Sequence, residues 1–334
     1  MGGAALRIKF MPVIVASEEI HPFLPSLASG AAIARDRAAR QDIRPLEIVI
    51  LNLMADKVAT ERQLALWLGH STLQVRLTFA ATDRYLRDIQ AGRESKNTPS
   101  DHIRKFYCAW SEIKNKKFDG LIVTGMNAMQ PRVSDEIFWD DVQDVLRWSE
   151  TNVFSSLFLC WGAKAALKHF HNVESIKGDK KTFGLFDHRR VTDTTDLLFG
   201  FPDRFPVPVS RWKNPDPTAL AACPALEIVA ASEETGANML VESAPFDGTR
   251  RYPRRVYVLN HPEYDTDTLQ REYLRDSANN PDTPLPRHYF AGEDPAQQPF
   301  NSWRYTGFLY ANWIKAVYDA TPYALEDIPR PFNG

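Results

Sequence analysis

Cysteine is scarce in this sequence, which has three among 334 residues: Cys108, Cys160 and Cys223. They form no CxxC pair, and the eight histidines form no HExxH motif and no tight Cys/His cluster. An odd and sparse count argues against a disulfide framework and favours a reducing compartment. We therefore expect a cytoplasmic protein, and we expect no bound metal ion.

Long hydrophobic runs and an excess of one charge are also missing. No apolar run approaches the roughly 20 residues that a transmembrane helix needs. The short apolar run near the N-terminus is broken by Pro12 and followed by acidic residues, which does not predict a signal peptide. Lysine and arginine number 40 against 42 aspartate and glutamate, a formal net charge of −2. This balance gives no electrostatic basis for binding nucleic acid or an anionic membrane, so we expect neither partner.

What the sequence does contain is an alternation of strand and helix patterns. "PLEIVILNLM" is continuously apolar and β-branched, as is typical of a strand buried on both faces, and "ATERQLALWLG" has helical spacing that ends at Gly69. "LQVRLTFAAT", "FDGLIVTG" and "VFSSLFLC" are further predicted strands, and "SDHIRKFYCAWSEIKN", "IFWDDVQDVLRWSET" and "GAKAALKHF" are predicted helices. This order predicts a doubly wound α/β fold, in which helices cover both faces of a mostly parallel sheet.

The two ends of the chain depart from this alternation. Residues 1–45 are irregular, with several prolines and an Ala/Arg-rich piece, and are predicted to form an N-terminal arm. Residues 46–334 are predicted to form a single α/β domain whose second half is richer in strands, among them "LEIVAASEET", "NMLVESA" and "RRVYVLNHPEYD". Two helical patterns, "DTLQREYLRDSA" and "GFLYANWIKAVYDAT", flank a proline-rich loop near the end. We therefore expect C-terminal elaborations on one sheet.

The residues suited to chemistry come at the ends of predicted strands, where ligands bind in open parallel sheets. Gly125 follows "LIVT", Cys160 follows "SSLFL" and His261 follows "RRVYVLN". Cys160 lies where a strand turns directly into a helix, a position that exposes the side chain above the sheet and places a helix N-terminus behind a thiolate. His261 is the candidate base for this thiol, and Glu263 is placed to orient the imidazole.

The same turn predicts an oxyanion hole, formed by the backbone N–H groups of Trp161 and of Met126 in the loop that begins at Gly125. Two plainer interpretations stand beside this one. A single cysteine at the end of a strand is more often buried and inert than catalytic, and an "HPE" sequence is commonly a turn. Because both segments are expected at one edge of one sheet, catalysis is favoured.

A series of short motifs extends from about residue 43 to the end of the chain, in the order "IRPLEIVILNLM", "ESKNTP", "FDGLIVTG", "LFLCW", "HPEYD", "EYLRD", "HYF", "SWR" and "TPY". In these motifs the chain resembles the homoserine O-acyltransferases, which acylate homoserine at the start of methionine synthesis. The resemblance implies a flavodoxin-like, class I glutamine-amidotransferase-like fold and a homodimer. It also implies ping-pong transfer from acyl-CoA through a thioester on Cys160, with His261 as base and Glu263 as its partner. Acyl-CoA would be a co-substrate, and no cofactor is expected.

Further residues match the substrate-binding positions of that family. They are Lys57 in "MADKVATE", Lys181 in "KKTFGLFDH", Ser210 in "PVSRW" and Arg275 in "YLRD". The resemblance implies that Arg275 holds the carboxylate of the amino acid, a task that suits a bidentate guanidinium. Apart from the resemblance, solvated charges and a capping hydroxyl would be the ordinary interpretation of these residues.

The chain departs from the family pattern around the predicted pocket. Lys164 replaces a glutamine, Asn260 a glycine and Val209 a histidine, and Met129 stands where the family has glycine for succinyl or glutamate for acetyl transfer. Met129 is bulky and apolar, so we expect acetyl-CoA to be the better donor. Lys164 lies one helical turn after Cys160, where its ammonium could lower the thiol pKa or bind an anionic substrate group, unless it points to solvent.

Three functions remain open at this point. The first is an acyltransferase that uses acetyl-CoA or succinyl-CoA and acts on homoserine or a related hydroxy amino acid such as serine. The second is a glutamine-hydrolysing amidotransferase, because that fold shares a Cys-His-Glu set, although such an enzyme is expected to have a synthetase domain or partner. The third is a non-catalytic binding protein, against which the presence of Cys160, His261 and Glu263 argues.

Overall fold

A computed structural model describes residues 44–93, 95, 97–128, 130–247 and 250–328, together with the backbone of two short strands at 13–15 and 32–34. Its strands are β1 (Val13–Val15), β2 (Ala32–Ala34), β3 (Leu46–Leu51), β4 (Val75–Ala81), β5 (Cys108–Ala109), β6 (Phe118–Val123), β7 (Val153–Leu159), β8 (Ser175–Arg190), β9 (Arg204–Pro215), β10 (Glu227–Ser232), β11 (Gly236–Asp247) and β12 (Arg250–Val258). Its α-helices are α1 (Lys57–Leu68), α2 (Asp83–Gln90), α3 (Ser100–Phe106), α4 (Trp110–Ile113), α5 (Trp139–Asn152), α6 (Trp161–His171), α7 (Pro217–Ala221), α8 (Thr268–Asn279) and α9 (Phe308–Ala320).

One sheet joins all the described strands, in the order β2-β1-β4-β3-β6-β7-β12-β11-β10-β8-β9, with β5 paired to β4. The strands from β2 to β12 in this order pair in parallel, and the four from β11 to β9 pair in antiparallel fashion. The run β4-β3-β6-β7-β12 has the 2-1-3-4-5 order of flavodoxin-like sheets. The predicted doubly wound, mostly parallel sheet with C-terminal elaborations is therefore confirmed.

Helices cover both faces of the parallel part. On one face the core includes Leu64 of α1 and Trp313 of α9, and on the other it includes Val142 of α5 and Ala166 of α6. Every residue of β6 is buried, Asp119 included, so this strand shows continuous burial instead of alternation between a buried and an exposed face. In the described part of the chain, no helix has the length and hydropathy needed to cross a membrane.

The segment "SDHIRKFYCAWSEIKN" is not the single helix that its periodicity predicts. Two short helices, α3 and α4, flank β5, and Cys108 of β5 pairs with Ala80 of β4. Strand pairing with β4 therefore overrides the local helical pattern, and Cys108 lies in a strand. Helix α3 begins at Ser100, and Pro99 holds the N-cap position.

Two pieces of the predicted N-terminal arm are visible as strands at the edge of the sheet. Val13 in β1 pairs in parallel with Val75 of β4, and β2 pairs with β1. The rest of residues 1–43 lies outside the described residues, so the boundary between the arm and the domain at residue 45 stays a prediction.

Candidate active site

Cys160 occupies a strained turn between β7 and α6. Its backbone has φ 48° and ψ −105°, a region that residues other than glycine seldom adopt. Its N–H donates to the carbonyl of Val258 at 2.7 Å, and its own carbonyl accepts from the N–H of Lys164 at 3.2 Å, so neighbouring elements hold the strained residue from both sides. The turn places the thiol above the carboxyl edge of the sheet, as the sequence predicts.

Two glycines leave the space that this turn needs. A Cβ on Gly162 would lie 2.6 Å from the carbonyl oxygen of Val123 and 2.8 Å from that of Thr124, so α6 can begin there only without a side chain. A Cβ on Gly125 would lie 3.7 Å from Sγ of Cys160 and 3.7 Å from Cε1 of His261. Gly125 therefore keeps open the space beside the thiol and the imidazole.

The imidazole of His261 is held in one orientation next to the thiol. Its Nδ1 lies 2.7 Å from Oε1 of Glu263, which leaves Nε2 for Cys160. The ring of Tyr264 stacks on the imidazole, with centroids 4.1 Å apart and planes at 16°. The backbone N–H of His261 donates to the carbonyl of Pro208 at 3.0 Å. The structure thus brings Cys160, His261 and Glu263 together as the sequence predicts.

Glu263 has a second partner that sequence reasoning missed. The hydroxyl of Tyr310, on α9, donates to its Oε2 at 3.0 Å, and Tyr310 is completely buried. Tyr310 lies 47 residues from Glu263 in a helix whose other buried positions are mostly apolar, so nothing in the local sequence distinguishes it. Tyr264, by contrast, belongs to the "HPEYD" motif itself.

The electrostatics of the site favour an ion pair between thiolate and imidazolium. Burial raises the pKa of the Cys160 thiol, but the positive charges of Lys164 and His261 more than offset this and lower it to about 6. Burial lowers the pKa of His261, but the Cys160 thiolate and Glu263 more than offset that and raise it to about 10. A thiolate is the nucleophilic form of cysteine, and a pKa of about 6 favours this form at neutral pH.

The two backbone N–H groups predicted for an oxyanion hole lie at the same cavity. Trp161 is the first residue of α6, where a helix has no internal acceptor for its N–H, and Met126 follows Gly125. Both residues line the cavity at Cys160, and neither backbone N–H donates a hydrogen bond within the described residues. Their placement agrees with stabilisation of an oxyanion that forms next to Sγ.

A cavity of about 1340 Å³ extends from Cys160 to a polar cluster at α8. In this polar cluster the carboxylate of Glu272 accepts from Oγ of Ser210 at 2.6 Å and from the hydroxyl of Tyr264 at 2.8 Å. The Nζ of Lys181 lies 3.6 Å from the same carboxylate. Sequence reasoning did not single out Glu272, although it is the first residue of the "EYLRD" motif.

Arg275 lies in the wall of the same cavity and is 60% exposed, with its guanidinium 2.8 Å from Asp276. Asp276 also accepts from Nζ of Lys181 at 3.0 Å. The predicted residues Lys181, Ser210 and Arg275 are therefore gathered around one cavity. In the described part of the chain, no group of three or more His, Cys, Asp or Glu side chains is arranged to hold a metal ion.

Comparison with known proteins agrees with the resemblance seen in the motifs. A model of the homoserine O-succinyltransferase family matches residues 22–323. The chain belongs to this family. A protein of Cereibacter sphaeroides (strain ATCC 17029 / ATH 2.4.9) named homoserine O-acetyltransferase is 40% identical over 296 residues, which cover 88% of this chain and 92% of that protein. A protein of the same name from Chelativorans sp. (strain BNC1) is 40% identical over 303 residues, covering 90% and 92%. The chain is accordingly an acyltransferase enzyme.

Solved structures with similar architecture are distant in sequence. One is a glutamine amidotransferase from Thermotoga maritima, 12% identical, with a TM-score of 0.47 and coverage of 83% of this chain and 97% of that one. Another is a glutamine amidotransferase from Methylobacillus flagellatus, 13% identical, with a TM-score of 0.47 and coverage of 82% and 96%.

Lys57 and Met129 are the two remaining positions matched to the homoserine O-succinyltransferase family. Lys57 does not line the cavity described above, because its ammonium donates to the carbonyls of Asn52 at 2.6 Å and Met54 at 3.1 Å beneath the cavity wall. Burial there lowers the pKa of Lys57 to about 8. Met129, predicted to select the acyl group, lies outside the described residues.

Three of the residues that depart from the family pattern, Lys164, Asn260 and Val209, are buried around the site. Lys164 is 5% exposed and lines the cavity, so the solvent-facing alternative for this residue is wrong. Asn260 is fully buried behind His261, where its amide donates to Oδ1 of Asn238 at 2.8 Å and its Oδ1 accepts from Arg211. Val209 is also fully buried, in β9. These changes alter the shell around Cys160, His261 and Glu263 and leave the three side chains themselves in place.

Proposed function

We propose that this acyltransferase moves an acyl group from acyl-CoA to the side-chain hydroxyl of homoserine, through a thioester on Cys160. The observation that carries the proposal is the placement of Cys160 on its strained turn, facing an imidazole that Glu263 holds at 2.7 Å. The names of relatives that are 40% identical support homoserine as acceptor and favour acetyl as the acyl group.

In the first half-reaction the thiolate of Cys160 attacks the carbonyl carbon of acyl-CoA. A carbon–sulfur bond forms, and the carbonyl oxygen becomes an oxyanion that the N–H groups of Trp161 and Met126 stabilise. The bond from this carbon to the CoA sulfur then breaks, and the departing sulfur takes the proton of the His261 imidazolium. The products are CoA thiol and an acyl-enzyme in which both Cys160 and His261 are neutral.

The second half-reaction depends on the charge that acylation removes. The Cys160 thiolate is among the groups that raise the pKa of His261, so its conversion to a neutral thioester makes the imidazole a base near neutral pH. His261 accepts the hydroxyl proton of homoserine while the hydroxyl oxygen attacks the thioester carbon. The bond to Sγ breaks, the thiolate is expelled, and the ion pair with the imidazolium is restored.

The polar cluster at α8 is suited to hold the amino-acid end of the acceptor. Glu272 offers a carboxylate to an α-ammonium group, and Arg275 offers a guanidinium to an α-carboxylate. Lys181 and Ser210 orient the carboxylate of Glu272. Serine has the same α-ammonium and α-carboxylate groups and carries its hydroxyl on a side chain shorter by one methylene, so it is the alternative acceptor. From the family resemblance we also propose a homodimer, a cytoplasmic location and no cofactor.

Intact-protein mass spectrometry tests the proposal directly. The wild type is mixed in separate samples with acetyl-CoA, succinyl-CoA and glutamine, without an acceptor. We expect a stable acyl adduct from an acyl-CoA in the wild type, in Cys108→Ala and in Cys223→Ala, and no adduct in Cys160→Ala. Addition of homoserine should discharge the adduct faster than addition of serine. An adduct in Cys160→Ala contradicts the thioester, and labelling by glutamine alone establishes an amidotransferase instead.

A further inference from the structure

Three buried cationic side chains line the cavity that contains the Cys160 thiol. Lys164, Arg211 and Lys213 are 5%, 4% and 6% exposed, and all three line the cavity. Within the described residues none of the three forms an ion pair with a carboxylate. A charge buried without a counter-charge is costly, so this cluster is expected to have a negative partner.

Two of the cations are satisfied by neutral acceptors. The guanidinium of Arg211 donates to Oδ1 of Asn214 at 2.7 Å, to the carbonyl of Thr235 at 2.5 Å and to Asn260. The ammonium of Lys213 donates to the backbone carbonyl of Gln130. These contacts hold both side chains in place, although they do not neutralise them.

The ammonium of Lys164 is less well paired than those two cations. It can donate three hydrogen bonds but makes a single long contact in the described part of the chain. Among the described residues its Nζ reaches the carbonyl of Lys213 at 3.5 Å and no other acceptor. Lys164 lies one helical turn after Cys160 in α6, and its backbone N–H donates to the Cys160 carbonyl. Side chains four residues apart share a helix face, so the ammonium and the thiol meet in the same cavity.

The carboxylates nearest to the thiol are already engaged elsewhere. Glu263 is shared between His261 and Tyr310, and Glu272 accepts from Ser210 and Tyr264. Near Lys213, the carboxylates of Glu136 and Asp135 act against the lowering of its pKa by burial, so they serve as its counter-charges. For Lys164 the remaining anion is the thiolate itself. Burial lowers the pKa of Lys164, and the Cys160 thiolate acts against that lowering, as expected of two groups that stabilise each other.

We propose that Lys164 is a positioning residue whose ammonium is a second counter-ion of the Cys160 thiolate, beside the imidazolium of His261. The resting thiolate therefore does not depend on His261 alone. The ammonium remains in place when His261 gives its proton to the departing CoA sulfur, and it stabilises the thiolate again when the second half-reaction expels it. These consequences for turnover rest on the proposed function, whereas the ionisation of the thiol does not.

Every charged group that faces the thiol bears on this ionisation. These groups are Lys164 from α6, His261 from the segment after β12 and Arg211 from β9. Glu263 contacts His261, Lys213 acts on Lys164, and Glu272 of α8 lines the same cavity. An opposite charge within about 4–6 Å shifts a pKa by roughly 1–3 units. Removal of the Lys164 charge alone should therefore raise the thiol pKa by at least about one unit, while the other groups stay unchanged.

The test is the pH dependence of alkylation of Cys160 by iodoacetamide, followed at the level of the peptide by mass spectrometry. Lys164→Gln should shift the midpoint upward by at least about one pH unit relative to the wild type. Lys168→Gln is the matched control, because Lys168 lies one turn further along α6 and pairs with Glu174 and Asn172 away from the cavity. Its midpoint should equal that of the wild type. Lys164→Met, which keeps a straight chain, replaces Lys164→Gln if the glutamine variant does not fold.

An unchanged midpoint in a folded Lys164 variant overturns the proposal. If that variant instead loses rate only with succinyl-CoA and keeps the wild-type alkylation profile, Lys164 binds a carboxylate of the acyl group, and the proposal is also overturned. Alkylation needs no acyl donor, so the test is independent of acyl transfer. A shifted midpoint in a protein that no acyl-CoA labels would support Lys164 as counter-ion and contradict the proposed function.

Discussion

Oε1 of Glu263 lies 2.7 Å from Nδ1 of His261 and fixes the orientation in which Nε2 faces the thiol. The two residues are separated by a single residue in the chain, at the carboxyl end of β12, so the strand end orders both. The second oxygen of the same carboxylate accepts from Tyr310 in α9, at 3.0 Å. The orientation of the imidazole therefore also depends on a helix near the C-terminus.

Removal of the Tyr310 hydroxyl should slow the enzyme without removing any reacting group. Tyr310→Phe leaves one oxygen of the buried Glu263 without its donor, and a hydrogen bond to a charged group contributes about 1.5–3 kcal/mol. We expect kcat/KM to fall by about tenfold. Steady-state kinetics beside Tyr318→Phe, on the exposed side of α9, provide the measurement and its control. Equal rates for the two variants would show that the hydroxyl does not act through Glu263.

The value of kcat/KM for acyl-CoA should decrease at both acidic and alkaline pH. Attack needs the thiolate, so kcat/KM for acyl-CoA should rise with pH through the Cys160 pKa of about 6. Protonation of the departing sulfur needs the imidazolium, so the rate should fall above the His261 pKa of about 10. His261→Ala should lower the rate by about 10²- to 10⁴-fold and abolish the alkaline limb. A His261→Ala rate within a few-fold of wild type means that another base is present.

A methyl group at position 125 should block acylation with little effect on folding. The added Cβ would lie 3.1 Å from Cβ of Cys160 and 3.7 Å from its Sγ, in the space that an acyl carbonyl must enter. We expect Gly125→Ala to slow formation of the acyl-enzyme by about 10²-fold in single-turnover experiments. Gly178→Ala is the control, because its nearest contact is an ordinary 3.4 Å to the carbonyl of Lys180. Normal acylation by Gly125→Ala would show that the acyl group approaches from another side.

The buried carboxylate of Asp119 in β6 should contribute strongly to stability. It is completely buried, and it accepts from Arg44 at 2.8 and 2.9 Å, from the N–H of Glu47 at 2.8 Å and from Oγ1 of Thr321 at 2.6 Å. Asp119→Ala removes the counter-charge of Arg44 and the acceptor of the Glu47 N–H and the Thr321 hydroxyl, and we expect a loss of about 3 kcal/mol in the free energy of unfolding by urea. The control Asp101→Ala removes a 96% exposed partner of Arg104 and should cost less than about 1 kcal/mol. Similar losses in both variants would contradict this account.

Our prediction of the preferred acyl donor rests on the sequence alone, because Met129 lies outside the described residues. A bulky apolar side chain at the position where the family uses glycine for succinyl transfer fills space and offers a carboxylate no hydrogen bond. We expect kcat/KM to be higher with acetyl-CoA than with succinyl-CoA, and Met129→Gly to narrow the difference. A tenfold preference of the wild type for succinyl-CoA, about 1.4 kcal/mol, would contradict the space-filling argument.

The parallel strands and the side chains of the candidate site were predictable because their signals are local. Strands buried on both faces appear as continuous apolar runs, and β3, β6 and β7 follow the predicted segments closely. The carboxyl ends of such strands meet at one edge, so Cys160 and His261 could be expected to face each other although they are far apart in the chain. The short strand at Cys108 could not be predicted, because its pairing with β4 outweighs a helical pattern in its own segment.

Sequence by itself determined the family, the doubly wound sheet and the set of Cys160, His261 and Glu263, because each is encoded in a pattern of a few neighbouring residues. Tertiary structure alone decided which side chains complete the site. Tyr310 reaches Glu263 from a distant helix, and Lys164 lies inside the cavity, where it has no carboxylate partner among the described residues. Burial and the separation between charges depend on how helices pack against the sheet, and these quantities set the pKa of the thiol. Burial and charge separation cannot be deduced from the spacing of residues along the chain.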